Sequence, residues 1–595
     1  MGNRHDKSEL LLWAILFIPF LWLAVALAQV SAEANGLAEL TAALTALLNN
    51  PLSVRWTENA PKYVLIVSLV YPAVVAYYLA DQADRNPGTE YGSAKWGDVH
   101  KLNRKYRNRR HPEENHILTA HFQMGTDVFR HRRNLNTVIV GGSGTGKSRF
   151  VAKPILMQCD CTNVILDPKG ELLRDLGGMY EAKGIPVVVM DLVHFKGHYN
   201  PLEYVDTDED VIKLAHAIVN NTKPKDAPSG GDSKYWDDSS VMLISALLLY
   251  LVYEAPKEEQ NLSTLMYMIS NCQLSEGNDI PNPLEIIFQE LEARDPHHPA
   301  VLQFKSFNLG STKTLQSILS TASSNLYMFN SPLFANMTNS DAMCLRQLGL
   351  KKHAVFLVIP DNDDTFNFLA TMVYQQIFDQ SFRLADSKPK YKGRLPVGVR
   401  MVMDEFANVA LPKNFEKIMA VARSRKLYLL IFLQSISQLK ALFKDTWEGI
   451  IGNCDTLLYL GGNEFGTMEY LSKILGKWTL RTISHSIGKG DRGSSSDSHQ
   501  HTGRELATPD EIRMMDRDDA LLLISAEHPI IDRKYDLMKH PNIKYTVDGG
   551  ADPYVMPPDY MSEAATLTVE ELQTLEPDKV PADILEKYEI VDTEE

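Results

Sequence analysis

The residues Gly141, Gly142, Ser143, Gly144, Thr145, Gly146, Lys147 and Ser148 carry the spacing G-x-x-x-x-G-K-[ST], directly after the apolar, β-branched run Val138-Ile139-Val140. Closely set glycines let a loop turn tightly and aim backbone N–H groups inward. The oxygens of a triphosphate fit that nest, at the positive end of the helix that follows. In such a loop Lys147 reaches the β- and γ-phosphates and Ser148 holds Mg²⁺. The strand-like run before it and the helix-compatible Arg149–Lys153 after it separate a nucleotide site from a chance Gly-rich turn. ATP with Mg²⁺ is the expected ligand.

A second constellation lies in Gly398-Val399-Arg400-Met401-Val402-Met403-Asp404-Glu405, a mostly apolar run that ends in two carboxylates. A buried strand ending at the phosphate edge presents Asp404 to the Mg²⁺ shell. Glu405 is then placed to take a proton from the attacking water, which requires a carboxylate within about 3 Å of it. Lys426–Phe432 reads as a further strand, and Gln434 just beyond it could sense a γ-phosphate. Arg423 and Arg425 stand upstream. Oligomeric ATPases complete their sites with a neighbour's arginine, and Arg423 is the preferred candidate.

These residues need a sheet to position them. Asn136–Val140, Asn163–Leu166 and Pro186–Met190 are strand-like and alternate with helical stretches, as in a parallel α/β sheet. The alternation stops at about 205 and resumes with His353–Ile359, followed later by Asp455–Leu460 and Ala520–Ile524. Between 205 and 345 the pattern is all-helical. It includes Ser239–Glu254, which is apolar enough for a buried helix, and it reads as an insertion in the α/β domain.

The formal net charge of the 595 residues is −15, but Thr546–Glu595 holds 14 Asp and Glu against 2 Lys, a net of −12. That leaves −3 for residues 1–545, so the overall acidity does not exclude a nucleic-acid partner for the body. The five cysteines, Cys159, Cys161, Cys272, Cys344 and Cys454, form no C-x-x-C pair, which argues against a disulfide framework and a zinc site. His485, His499 and His501 lack ligand spacing as well. The Ser-, Gly- and His-rich Arg481–Glu505 reads as a mobile loop. The tail from Thr546 reads as disordered, with one weakly amphipathic piece at Val580–Ile590 and a docking segment for a basic protein as the alternative.

Leu10–Val30 is uncharged over 21 residues, and Tyr63–Ala80 is a second apolar run with Pro72 inside it. Both are candidate membrane spans. Positive charge is concentrated after the second, from Arg85 to Arg110, and Arg4 and Lys7 precede the first, so both ends are expected inside. Ala26-Leu27-Ala28 has the look of a signal-peptidase site, but cleavage there would still leave the body cytoplasmic. The basic stretch Lys101–Arg110 fits anionic headgroups, or alternatively DNA phosphates. The expected layout is a membrane anchor over 1–85, nucleotide-binding parts over 86–204 and 346–545, an all-α domain over 205–345 and an acidic tail over 546–595.

With these motifs assembled, the chain resembles the type IV coupling proteins of conjugation and secretion, the TraG/TraD-like ATPases, and looks closest to their Gram-positive conjugative-element branch. Carrying the resemblance are Tyr91-Gly92-Ser93-Ala94-Lys95-Trp96, the phosphate loop, Asp167-Pro168-Lys169-Gly170-Glu171, Asn200-Pro201-Leu202, Met403-Asp404-Glu405-Phe406-Ala407-Asn408, Ala422-Arg423-Ser424-Arg425, Gln434-Ser435 and Leu506-Ala507-Thr508-Pro509-Asp510-Glu511. The resemblance implies two N-terminal spans, a RecA-like motor domain with an all-α insertion, and a homo-hexamer with sites between subunits. It implies a job at the membrane: recruiting a relaxase bound to single-stranded DNA and using ATP to pass it to a secretion channel. Three rival functions share parts of this pattern. They are a nucleotide-dependent receptor without motor activity, a double-stranded DNA pump, for which no winged-helix module is evident, and a protein-only secretion coupler.

Overall fold

The computed structural model describes residues 7–33, 41–83 apart from 42, 44 and 48, 89–222, 231–272, 282–360, 365–406, 415–488 and 494–556. The chain forms two compact units, Met1–Ala94 with Leu475–Leu506, and Lys95–Ile474 with Ala507–Glu595.

In the first unit, helices α1 (Lys7–Glu33) and α2 (Ala60–Ala83) each contain a proline, Pro19 and Pro72. They pack through aromatic side chains. Trp13 meets Tyr78 edge-on at 5.3 Å, Phe17 lies 5.0 Å from Tyr71, and the Tyr71 hydroxyl donates to the Trp13 carbonyl at 2.8 Å. The windows Leu12–Ala32 and Ala60–Tyr78 are long and apolar enough to cross a membrane. Leu65, Ile66, Leu69 and Val70 on α2 are exposed.

The second unit is built on a nine-stranded sheet. It starts with helix α3 (Val99–Tyr106) and a small hairpin, β1 (Asn115–Ile117) and β2 (Gln123–Gly125), which the sequence reading did not anticipate. Then come β3 (Thr137–Val140), β4 (Thr162–Pro168), helix α4 (Glu171–Ala182) and β5 (Val187–Asp191). The helical region follows, with α5 (Asp208–Asn221), α6 (Gly231–Glu254), α7 (Pro299–Phe307) and α8 (Thr312–Leu326) among its helices. Helix α6 is apolar enough to cross a membrane, but it packs against α5, α7 and α8. The sheet resumes with β6 (Ala354–Ile359), helix α9 (Asn367–Ser387), β7 (Val399–Met403), β8 (Leu427–Leu433) and β9 (Thr456–Tyr459).

The strand run Lys477–Gly488 (β10) and Ser494–Glu505 (β11) belongs to the first unit. This corrects the expectation of a mobile loop at Arg481–Glu505. The two strands pair antiparallel from Lys477↔Glu505 to Gly488↔Ser494. Composition misled here: Ser and His are weak strand formers alone, but β-branched Thr479, Thr482, Ile483 and Ile487 supply a partner strand that orders them. Tyr91 and Ser93 of the Tyr91–Trp96 motif lie at the base of this hairpin, where the Tyr91 N–H donates to Thr479 Oγ1 at 3.1 Å and Ser93 bridges Trp478.

The chain returns to the sheet with β12 (Asp519–Ile524) and β13 (Ile530–Arg533), giving the order β13-β12-β9-β3-β8-β7-β4-β6-β5. From β9 to β5 all neighbours are parallel, and β12 and β13 run antiparallel at one edge. Strands such as Thr137–Val140 and Leu427–Leu433 are buried at every position. Continuous rather than alternating hydrophobicity is what a sheet covered on both faces requires.

Two buried polar clusters fix this architecture. Arg400 on β7 is fully buried and donates to Asp160 Oδ2 (2.9 Å), Asn163 Oδ1 (3.1 Å) and His116 Nε2 (3.0 Å), tying β7 to β4 and β1. Burial, reinforced by the Arg400 charge, pushes the His116 pKa well down, so His116 accepts as a neutral ring. The Asn200-Pro201-Leu202 motif forms the second cluster. Asn200 Oδ1 accepts from the Leu202 N–H at 3.1 Å, its Nδ2 donates to the Gln260 carbonyl at 2.7 Å, and its N–H reaches Asp341 at 3.3 Å.

The tail expectation also needs correction at its start. Lys153 Nζ holds Asp548 at 2.5 Å, the Tyr554 N–H donates to the Arg174 carbonyl at 2.8 Å, and the Tyr554 ring sits over Gly177 of α4. Thr546–Met556 is therefore packed on the body; Val580–Ile590 lies outside the described residues.

Candidate nucleotide site

The sheet order places the chemistry. Strand β3 feeds the glycine loop at its C-terminal end, and β8 alone separates it from β7, which is followed directly by Asp404. The loop is clamped on both sides: the Gly141 N–H donates to the Leu433 carbonyl at the end of β8, and the Gly142 N–H to the Gly461 carbonyl after β9, each at 3.0 Å. Within it, Gly146 has φ +82° and lies so close to the Phe150 ring that a Cβ would sit 2.4 Å from it. Only glycine fits that position. The helical segment begins as a wide π-type turn over Ser148–Ala152 and continues through Lys153–Leu156.

Ser148 Oγ donates to Asp404 Oδ2 at 2.8 Å. Two oxygen ligands from opposite ends of the motif set thus share one point, the donor chemistry that a hard divalent cation takes. Lys147 Nζ donates to the Gly141 carbonyl at 2.9 Å. Burial lowers the Lys147 pKa, against the opposing pull of Asp404 and Glu405, so both carboxylates act on this ammonium. Asp404 is buried, which raises its pKa, while the Ser148 bond and the Lys147 charge work the other way. Glu405 follows with φ +50°, a left-handed conformation that costs a non-glycine residue about 1–2 kcal/mol, and its N–H is turned back to Asp404 Oδ1 at 3.1 Å. The end of β7 therefore presents two successive carboxylates to the loop.

Gln434 is exposed directly after β8, between the loop and the acidic pair, and its N–H donates to Gln438 Oε1 at 3.0 Å. Arg423 and Arg425 stand elsewhere. They precede β8, at the opposite end of a seven-residue strand, about 20 Å from the phosphate edge at strand rise. Neither reaches the loop of its own chain. Arg425 is held by Asp386 at 2.9 Å, whereas exposed Arg423, among the described residues, donates to the Arg132 carbonyl at 3.3 Å. Ala407 and Asn408 of the acidic motif lie outside the described residues.

Two features of the site were not assigned from sequence. Lys534, after β13, donates from Nζ to the Thr145 carbonyl at 3.1 Å and braces the loop from behind. Asp167, one residue before the end of β4, caps α4 by accepting from the Leu172 (3.1 Å) and Leu173 (2.7 Å) N–H groups, on a strand that pairs with β7. Lys169 and Gly170, both left-handed, make the turn into that helix. Burial pushes the Asp167 pKa up to about 7, with the charges of Asp404 and Glu171 adding to the effect. The Asp-Pro-Lys-Gly-Glu motif is thus a helix cap set against the acidic pair.

Residues 90–569, well over half of the chain, match the family model described as type IV secretory system conjugative DNA transfer. The chain belongs to this family. Among curated relatives, the conjugal transfer protein TraG of Escherichia coli is 24% identical over 415 residues, spanning 65% of this chain and 62% of TraG. Protein VirD4 of Rhizobium radiobacter is 21% identical over 411 residues, spanning 67% of this chain and 56% of VirD4. The chain thus matches about three fifths of the length of these curated relatives. Among solved structures, the bacterial conjugative coupling protein TrwBdeltaN70 superposes with a TM-score of 0.55 at 16% identity, covering 77% of this chain and 96% of that one. TrwB in complex with ADP and Mg²⁺ gives 0.54 at 16% identity, with the same coverages. The likeness is one of fold: an α/β structure with a large, mostly parallel sheet.

Proposed function

We propose that this protein is a membrane-anchored ATPase that couples relaxase-bound single-stranded DNA to a type IV secretion channel and drives its transfer. The carrying observation is the 2.8 Å bond between Ser148 and Asp404 in a chain of the conjugative transfer family. Homologous TrwB has been solved with ADP and Mg²⁺, and with a non-hydrolysable ATP analogue, and the loop, the lysine and the paired oxygens here fit the same ligands.

In this mechanism the backbone N–H groups of Gly142–Lys147 cradle the phosphates, and Lys147 balances their charge. Ser148 and Asp404 would hold Mg²⁺, which would supply positive charge to the phosphates. Glu405 accepts the proton of the attacking water. Gln434, next to the loop, responds to the γ-phosphate. Arg423 works in trans, completing the site of the adjacent subunit of a RecA-like homo-hexamer, since its own loop is a strand's length away.

Helices α1 and α2 cross the cytoplasmic membrane, with both ends and the bulk of the chain inside. The exposed apolar surface of α2 and the positive residues after it support this topology. Within the family, the motif details favour kinship with Gram-positive conjugative elements. Conjugation tests the whole reading: Lys147→Ala is expected to abolish transfer and ATP turnover while membrane insertion is kept. Undiminished transfer by that variant would overturn it.

A further inference from the structure

A cavity of about 1140 Å³ opens on the edge of the sheet opposite the phosphate loop. Its walls come from the stretch between α3 and β1 with the β1–β2 hairpin, from the residues just before β4, β5 and β6, and from the segment after β13. Five cations line it: Arg107, Lys183, Lys351, Lys352 and Lys539. The one carboxylate in the wall, Glu113, is exposed and lies 3.3 Å from His111. Among the described residues, Lys183, Lys351 and Lys352 pair with no carboxylate. Lys352 donates to the Cys159 carbonyl at 3.1 Å, and Lys183 lies 4.8 Å from the centre of the Tyr545 ring.

Two buried donors in the same wall are unsatisfied. His540 is only 2% exposed. Its Nδ1 accepts the Asn542 N–H at 3.1 Å, which fixes the ring proton on Nε2, and that Nε2 has no partner. Burial pushes the His540 pKa down to about 4, so the ring is a neutral donor at physiological pH. Arg107 Nε is likewise buried without a partner. Buried donors left unpaired are costly, and native structures keep few of them. Here two belong to residues that line one concave site, where five cations face a single carboxylate, and that excess of positive charge suits a ligand rich in anionic oxygen.

We propose that this cavity binds a compact polyphosphate, a chain of phosphoryl groups either free or carried by a nucleoside. The rim lysines and the Arg107 guanidinium supply the charge that its oxygens need. The volume exceeds what one phosphate fills, and the cation excess suits several adjacent charges better than a single carboxylate. This site is distinct from the phosphate loop, from which it is separated by the length of the strands.

The test is calorimetric titration of the full-length protein with inorganic tripolyphosphate, in a Lys147→Ala background that disables the loop. Binding is expected to persist there and to weaken by about tenfold or more, some 1.4 kcal/mol, when Lys351→Gln and Lys352→Gln are added. Arg107→Gln should weaken it similarly, with melting temperatures reporting that each variant is folded. ATP binding as tightly as tripolyphosphate assigns a free phosphate chain, and clearly tighter ATP binding assigns a nucleoside carrier; both support the site. No binding in the Lys147→Ala background, or an affinity indifferent to the rim substitutions, overturns it. So does oligothymidine binding at these residues without tripolyphosphate binding, which would make the cavity part of a strand path.

Discussion

Ser148 and Asp404 lie 256 positions apart in the chain, yet the serine hydroxyl donates to the aspartate carboxylate at 2.8 Å. The sheet order makes this contact, because a single strand, β8, separates the two that carry them. If they jointly hold the cation, Asp404→Asn and Ser148→Ala should each cut ATP turnover by about 100-fold or more and weaken the Mg²⁺ dependence of nucleotide binding. Binding of nucleotide without Mg²⁺ should change little. Equal Mg²⁺ titrations for variant and parent would refute the shared site.

Arg423 gives a prediction of a different kind, because it sits at the wrong end of β8 to serve its own loop. Arg423→Ala and Lys147→Ala are each expected to be inactive alone. Mixed in one assembly, the Lys147→Ala subunits lend their arginine to intact neighbouring loops, and part of the ATPase activity should return. Mixtures as inactive as the parents would place Arg423 outside the site. Arg425, already held by Asp386, should not behave this way.

Arg400 anchors the strand that presents Asp404 at its far end. Removing one partner of a fully buried ion pair leaves an uncompensated charge, here Asp160, at a cost of about 3–5 kcal/mol. Arg400→Ala should therefore lower the melting temperature sharply. A loss near zero would mean that water reaches Asp160.

The Asn200 cluster sets a pH dependence. Burial pushes the Asp341 pKa up to about 6, against the bonds it accepts from Tyr204 and the Asn200 and Cys344 N–H groups. A carboxyl whose folded pKa is raised binds more protons in the native state than in the unfolded chain between about pH 4 and 6, so its contribution to stability falls as pH rises through that window. Asp341→Asn should remove that fall, so its melting temperature relative to the parent rises by the equivalent of about 2–3 kcal/mol between pH 4 and 7. Parallel stability curves would contradict the assignment.

Much of this site was legible in the sequence because its signals are local. The glycine spacing, the lysine and the carboxylates at the end of an apolar run each state their chemistry within eight residues, and continuous hydrophobicity marks the parallel strands. What was missed depends on distant partners. Lys534 braces the loop from 389 positions away, and nothing around it announces that. β10 and β11 are polar and order each other by pairing, while Asp548 leaves the acidic tail to meet Lys153 and Arg149. The Asp167 motif was visible as a pattern, but its work as a helix cap beside Asp404 needed the fold.

The central claim is that hydrolysis at this site drives DNA movement. Steady-state ATP turnover of the full-length protein, with and without single-stranded DNA, compared with Glu405→Gln, tests it most directly. The account predicts DNA-stimulated turnover in the parent and a drop of about 100- to 10,000-fold in the variant with nucleotide still bound. Turnover that is indifferent to DNA, or undiminished in Glu405→Gln, would contradict it.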